Sequence, residues 1–234
     1  MLDEPTNLPS LLKDPSLLAT RGYLAGEWVD GDGAQTFDVT NPARGDIVAQ
    51  VADFSRSQAA LAIAAAETAQ KDWAAMTGKE RSVILRKWFN LMIENADDLA
   101  TILTVEQGKP LAEAKGEIVY GASFIEFFAE EAKRIYGETL QGRSPDTKIH
   151  VYYQPVGVVA ALVPWNFPIT LASRKISTSL AAGCSVICKP DVITPGAVME
   201  LVNICKEAGV PDGVVNLLSG DPADISNELM ESDI

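Results

Sequence analysis

The sequence predicts an α/β protein built on a doubly wound parallel sheet. Three observations lead there. After Val156 the chain alternates short apolar runs with amphipathic ones: GVVAALV, ITLASRKISTSLAAG, CSVICKP, TPGAVMELVNICKEAG, VVNLLSG and DPADISNELMESDI. The strand runs are apolar throughout, as a sheet covered on both faces requires. The helical run at 194–209 carries Pro195 near its start and Gly209 at its end, the asymmetry of a real helix. A β-α-β-α-β-α order closes as a parallel, right-handed sheet. With 234 residues, 47% of them hydrophobic, the chain can bury such a core.

The earlier elements follow in order. Residues 1–20 read as a loose, partly amphipathic lead-in. GYLAGEWVD and TFDVTNPARGDIVAQV alternate apolar and polar residues, broken by Asp30-Gly31-Asp32-Gly33 and Asn41-Pro42. That is the pattern of a small antiparallel hairpin. Ser55-x-x-Gln58 and Thr77-x-x-Glu80 are capping boxes that open two helices. A third helix starts near Asn95 and stops before Gly108-Lys109-Pro110. A fourth runs from Leu111 to Ile135. Ile118, Gly121, Ile125, Phe128, Ala132 and Ile135 repeat at helical spacing. Phe124 and Phe127 are expected to widen this stripe within the core. Residues 137–156 begin polar and turn β-rich at Ile149–Tyr153. They read as an arm that pairs with a partner subunit or as a simple surface hairpin.

Composition excludes several roles. A net charge of −13 repels phosphate backbones and anionic lipid, so nucleic acid and membrane surfaces are not expected partners. No apolar run approaches the roughly 20 residues of a membrane span. MLDEPTNLPSLLKDPSLL lacks the basic start and apolar block of a secretory signal. Three cysteines, one histidine and no CxxC argue against a disulfide framework and a zinc site. The cytoplasm is the expected compartment.

In doubly wound sheets ligands bind at the carboxyl ends of the strands. Three loops qualify: Pro164–Pro168, Lys189–Thr194 and Ser219–Ala223. The dinucleotide fingerprint GxGxxG is absent; VPWNFPIT follows the first strand instead. Asn166, between two prolines, either aims its amide at a developing oxyanion or caps the next helix. Lys189 either contacts a ribose or phosphate or carries its charge out of the sheet. Arg174, eight residues after Asn166, either pairs with a substrate carboxylate or makes a surface salt bridge. Cys184, Cys188 and Cys205 have no activating neighbour and are poor nucleophiles.

Taken together, PWNFP, RK, LAAGCSVICKP and TP, in that order and spacing, resemble the aldehyde dehydrogenase superfamily. The resemblance runs from AGEWV to VNLLSGD. EQGKPLAEAKGEIVYGASFIEFFAEEAKRIYGETL resembles the succinate-semialdehyde dehydrogenase branch.

The resemblance implies oxidation of a small-molecule aldehyde, succinate semialdehyde, by cysteine attack and hydride transfer to NAD(P). It implies that Asn166 stabilises the oxyanion and that Val163, Pro164 and Trp165 line the cofactor cleft. Lys189 would contact the adenosine ribose, with Pro190 and Asp191 beside it, and Gly220 would face the adenine. Val192 stands where NAD-preferring members carry a ribose-gripping glutamate, which makes room for NADP; Asp191 leaves NAD open. Arg174 would face the distal carboxylate. Residues 21–136 would form the N-terminal part of the cofactor domain, 137–156 a homo-oligomerisation arm, and 157–234 an incomplete βαβαβ cofactor-binding core. The family's catalytic cysteine and base glutamate have no counterpart here. The chain is therefore expected to be an inactive N-terminal part of the enzyme. Two alternatives stay open: a non-catalytic short form that binds nucleotide or pairs with subunits, and a dehydrogenase for a different aldehyde.

Overall fold

A computed structural model of the chain describes residues 6–234; residues 1–5 of the lead-in lie outside the described residues. Residues 6–20 are not loose. Two short 3-10 turns bury Leu8 and Leu17, and the Asp98 carboxylate accepts from the amides of Lys13 and Asp14, both at 2.9 Å.

The 22–51 region forms two hairpins rather than one. β1 (Gly22–Leu24) pairs with β2 (Glu27–Val29), and β3 (Thr36–Thr40) pairs with β4 (Ile47–Ala52). Four helices follow: α1 (Arg56–Ala75), α2 (Gly78–Glu94), α3 (Ala96–Gln107) and α4 (Leu111–Glu131). Both capping boxes are made, at Ser55–Gln58 and Thr77–Glu80. A separate ribbon, β5 (Glu138–Gln141) on β6 (Lys148–Val151), stands apart from the other sheets. The remainder alternates as expected: β7 (Val158–Val163), α5 (Pro168–Ala182), β8 (Ser185–Pro190), α6 (Pro195–Glu207), β9 (Val215–Leu217) and α7 (Pro222–Glu231).

The main sheet has the order β2-β1-β9-β8-β7. β7, β8 and β9 are parallel, and β1 joins antiparallel through Tyr23 opposite Leu217. The first hairpin therefore covers the open side of β9. Alternate residues of β8 serve two cores. Ile187 packs with Ala59, Ala62 and Ala66 of α1 and Ile225 of α7. Val186 and Cys188 join the larger core built from α2 to α6. Two fully buried tryptophans tie the helical layer down. The indole N–H of Trp73 donates to the Leu180 carbonyl at 3.0 Å, and that of Trp88 to the Leu201 carbonyl at 3.2 Å. An unmet donor at such depth costs about 1–3 kcal/mol.

Three further expectations need correction. α4 stops at Glu131, and Ile135 is exposed. Phe127 is 57% exposed: it lies two residues from buried Ile125, about 200° around the helix, and its ring meets Phe128 edge-on at 5.1 Å. β7 is also less covered than an all-apolar run implies. It is the sheet's edge, and Leu162 is exposed. No helix among the described residues is long and apolar enough to cross a membrane.

Candidate functional site

The register of β7 on β8 decides what lies together. Leu162 stands opposite Lys189 and Val163 opposite Pro190. The PWNFP and KPDV turns therefore leave the sheet side by side at its carboxyl end. On the far side of β8, the Leu218 amide donates to the Cys188 carbonyl at 2.9 Å, after which the chain turns at Gly220.

An open groove of about 420 Å³ runs over this end, lined by Phe37, Asp38, Asp53, Val192, Ile193, Gly220 and Asp221, among others. It brings Val192 and Gly220 together. Gly220 has φ +143°, and a Cβ there would lie 2.7 Å from the Phe54 carbonyl oxygen; no other residue fits. The lining suits a nucleoside. Phe37, Val192 and Ile193 offer apolar contact to a base, and the carboxylates of Asp38, Asp53 and Asp221 can accept from ribose hydroxyls.

Lys189 does not line this groove. It is 5% exposed, so its charge does not snorkel to water. Its ammonium donates to the Pro190 carbonyl at 2.9 Å. Burial lowers its pKa, while Asp191 and Asp221 act to raise it.

The residues from Pro164 to Phe167 are exposed. Asn166 does not cap α5: the cap position is Phe167, without a side-chain bond. Among the described residues the Asn166 side chain makes no hydrogen bond. A carboxylate from α4 caps the helix instead. Glu117 accepts from the amides of Ile169 at 3.0 Å and Thr170 at 3.2 Å. α6 is closed the same way by α3, where Glu106 accepts from Gly196 at 2.9 Å and Ala197 at 2.7 Å. The usual anion-binding helix entrances of such a sheet are thus already filled from within.

The α3–α4 junction also grips the PWNFP turn. Gln107 Nε2 donates to the carbonyls of Trp165 at 3.3 Å and Asn166 at 3.0 Å. The Lys109 ammonium pairs with Glu117, donates to the Asn166 carbonyl at 3.3 Å, and sits 4.4 Å from the Phe167 ring centroid. Glu106, Gln107, Lys109 and Glu117 were missed as site residues by sequence reasoning. A signal existed for the two acids. Glu106 continues the apolar spacing of Leu99, Ile102 and Leu103, and Glu117 lies between Ala114 and Gly121 on the buried face of α4. A charge on an apolar stripe needs a partner.

Arg174 is on the exposed side of α5, its guanidinium 5.6 Å from the Phe124 ring centroid. It makes no ion pair among the described residues, so the surface salt bridge is not formed. The three cysteines are buried and free. Burial pushes the Cys188 thiol up to about 12 and raises that of Cys205 as well, the opposite of what a nucleophile needs.

These features define a class: a doubly wound α/β domain with its crevice at the carboxyl end of the parallel strands. Residues 28–234 match the aldehyde dehydrogenase family, and the chain belongs to it. It is 51% identical over 218 residues to a glutarate-semialdehyde dehydrogenase of Pseudomonas putida, covering 93% of this chain and 45% of that protein. It is 49% identical over 218 residues to the NADP(+) succinate-semialdehyde dehydrogenase GabD of Escherichia coli, with 93% and 45% covered. A crystal structure of aldehyde dehydrogenase from Brucella melitensis biovar abortus superposes with a TM-score of 0.94 at 48% identity, covering 95% of this chain and 46% of that one. The chain thus spans just under half the length of these relatives.

Proposed function

We propose that this chain forms the cofactor-binding side of a dehydrogenase that oxidises a short aldehyde with a distal carboxylate, succinate semialdehyde foremost. The single observation behind this is the β7–β8 register, which sets the Asn166 turn and the Lys189 turn at one end of the sheet. Beside it, the Asn166 side-chain amide has no partner among the described residues and can donate to a carbonyl oxygen as negative charge develops there. Arg174, unpaired by any carboxylate among the described residues, is available to the substrate's acid group. Similarity to both a glutarate- and a succinate-semialdehyde dehydrogenase supports that substrate class.

NADP is the proposed nucleotide, with Val163, Pro164, Trp165, Lys189, Pro190, Asp191, Val192 and Gly220 around it. It supplies the hydride acceptor when bound. Val192 supports NADP, because no carboxylate at that position repels a 2′-phosphate. The acidic rim of Asp38, Asp53 and Asp221 pulls towards NAD. Homo-oligomerisation through residues 137–156 is proposed on the exposed Leu140, Ile149, Tyr152, Tyr153 and Val156. A cytoplasmic location is proposed on the three buried, unpaired cysteines. The 234-residue chain alone is proposed to be inactive, for want of a reactive thiol.

The reading is tested in the complete enzyme and the isolated chain together. Arg174→Ala in the enzyme is expected to lower kcat/KM for succinate semialdehyde by roughly 10- to 100-fold, with butanal little changed. Equal losses on both aldehydes would remove the role of Arg174. In the isolated chain NADP is expected to raise the melting temperature more than NAD; the reverse order would overturn the Val192 argument. Turnover by the isolated chain would overturn its proposed inactivity.

A further inference from the structure

Gln107 and Lys109 reach the carbonyl of the residue whose amide is unbonded. We propose that they are positioning residues: with Glu117 they form a clamp that fixes the backbone at Trp165 and Asn166, so that the Asn166 amide is already aimed when the aldehyde arrives. The proposal rests on the oxyanion role given above to Asn166.

The geometry carries it. Asn166 lies on an exposed turn between Pro164 and Pro168, outside both the strand and the helix. It has no ladder or helical hydrogen bond to hold it, and its side chain has no partner among the described residues. Yet a stabilising donor acts only if it is preorganised, and a displacement of about 1 Å can cost 10²-fold. The rigidity must come from outside the turn. Three donated bonds supply it, two from Gln107 Nε2 and one from Lys109 Nζ, all ending on the carbonyls of Trp165 and Asn166.

The lysine is itself held. Its side chain is 11% exposed, that of Glu117 is 1% exposed, and the two are paired. Glu117 is fixed in turn by the first amides of α5. The Phe167 ring lies beside the ammonium at 4.4 Å. One buried carboxylate thus anchors both the helix that follows the turn and the cation that grips the turn. A surface lysine with a free stem would not do this, because its rotamer entropy opposes any fixed contact.

The test is a double-mutant cycle on kcat in the complete enzyme, with Lys109→Met and Asn166→Ala singly and together. Asn166→Ala is expected to lower kcat by roughly 10²- to 10³-fold. Lys109→Met is expected to lower it roughly tenfold, with nucleotide affinity unchanged. In the Asn166→Ala background the lysine change should cost less than about twofold, since no amide is left to aim. Equal loss in both backgrounds would overturn the proposal, because a purely structural lysine acts without Asn166. No loss from Asn166→Ala alone would instead overturn the reading on which the proposal rests. Should Lys109→Met fail to fold, Gln107→Leu runs the same cycle: it removes two of the three bonds from a partly exposed site and leaves the Lys109–Glu117 pair intact. Lys109→Arg should restore most of the kcat.

Discussion

Two buried glutamates close two neighbouring helices of the same sheet, and they are not equivalent. Glu117 caps α5 and is matched by Lys109. Glu106 caps α6 with two shorter amide bonds, 2.9 and 2.7 Å, but pairs with no cation among the described residues. Burial pushes the Glu106 carboxyl up to about 7, with the Ala197 and Gly196 amides pulling against it. The difference teaches that a helix entrance alone does not offset the desolvation of a fully buried carboxylate. Where the helix follows the proposed catalytic turn, the chain adds a lysine. Where the helix follows the KPDV turn, it does not.

The largest effect expected from this contrast is a difference in what the two acids hold up. Glu117→Leu strands the Lys109 ammonium and leaves two amides unmet, so it should destabilise the chain by about 3–5 kcal/mol. Glu106→Leu also leaves two amides unmet but strands no charge, and should cost less than Glu117→Leu. Urea denaturation followed by tryptophan fluorescence measures both. If Glu106→Leu proved the more costly, the cation at Glu117 would not be the feature that separates them.

The pH dependence sharpens the same contrast. The folded-state pKa of Glu106 lies above its unfolded value of 4.5, so the folded chain holds this proton more tightly than the unfolded one. The stability it contributes is fully present below pH 4.5 and is lost as the pH rises through about 7. The loss is on the order of 3 kcal/mol. Asp97, held down to about 2 by Lys115 and Lys13, acts with the opposite sign, losing its contribution only as the pH falls below about 4. Glu200, raised to about 9 by burial, loses stability with rising pH over a longer span. Subtracting the Glu106→Gln profile from that of the unaltered chain isolates Glu106 between pH 4.5 and 7. Parallel profiles would mean that Glu106 carries no raised pKa, and the contrast would dissolve.

How much of this was legible in the sequence varies with the range of the interaction. Capping boxes at Ser55 and Thr77 involve residues three apart, and both are made as read. The β7–α5–β8–α6–β9–α7 order follows from local apolar runs and from Pro168, Gly183 and Pro195. The partner of β9 was not legible, because β1 arrives from almost 200 residues away and nothing in GYL names its neighbour. Phe127 was misplaced because apolar residues two apart, here Ile125 and Phe127, look contiguous in a string yet point to different sides of a helix. At the site, Asn166 stood out between its prolines, as did Lys189 at the end of its strand. The clamp behind Asn166 did not. Glu106 and Glu117 do their work on helices 90 and 52 residues further along the chain, respectively. Only their place on apolar faces hinted that something charged or polar had to meet them.

The smallest effect concerns the link between the two acids. Gly108 ends α3 in the left-handed region, φ +87°, and its amide donates to the Thr104 carbonyl at 2.9 Å. Glu106 lies two residues before it and Lys109 one after, so this turn sets how the two capping systems are spaced. A Cβ at Gly108 would meet Pro42 Cγ at 2.9 Å, and a left-handed backbone disfavours alanine. Gly108→Ala should therefore cost about 1–2 kcal/mol, read as a lower urea midpoint at unchanged m-value. Gly108→Asn separates the two causes, since asparagine tolerates the left-handed region but is bulkier towards Pro42. A smaller loss for asparagine than for alanine assigns the cost to backbone strain; a larger one assigns it to the proline contact. No loss from either would show that the junction yields, and that Glu106 and Glu117 hold their helices independently of the turn between them.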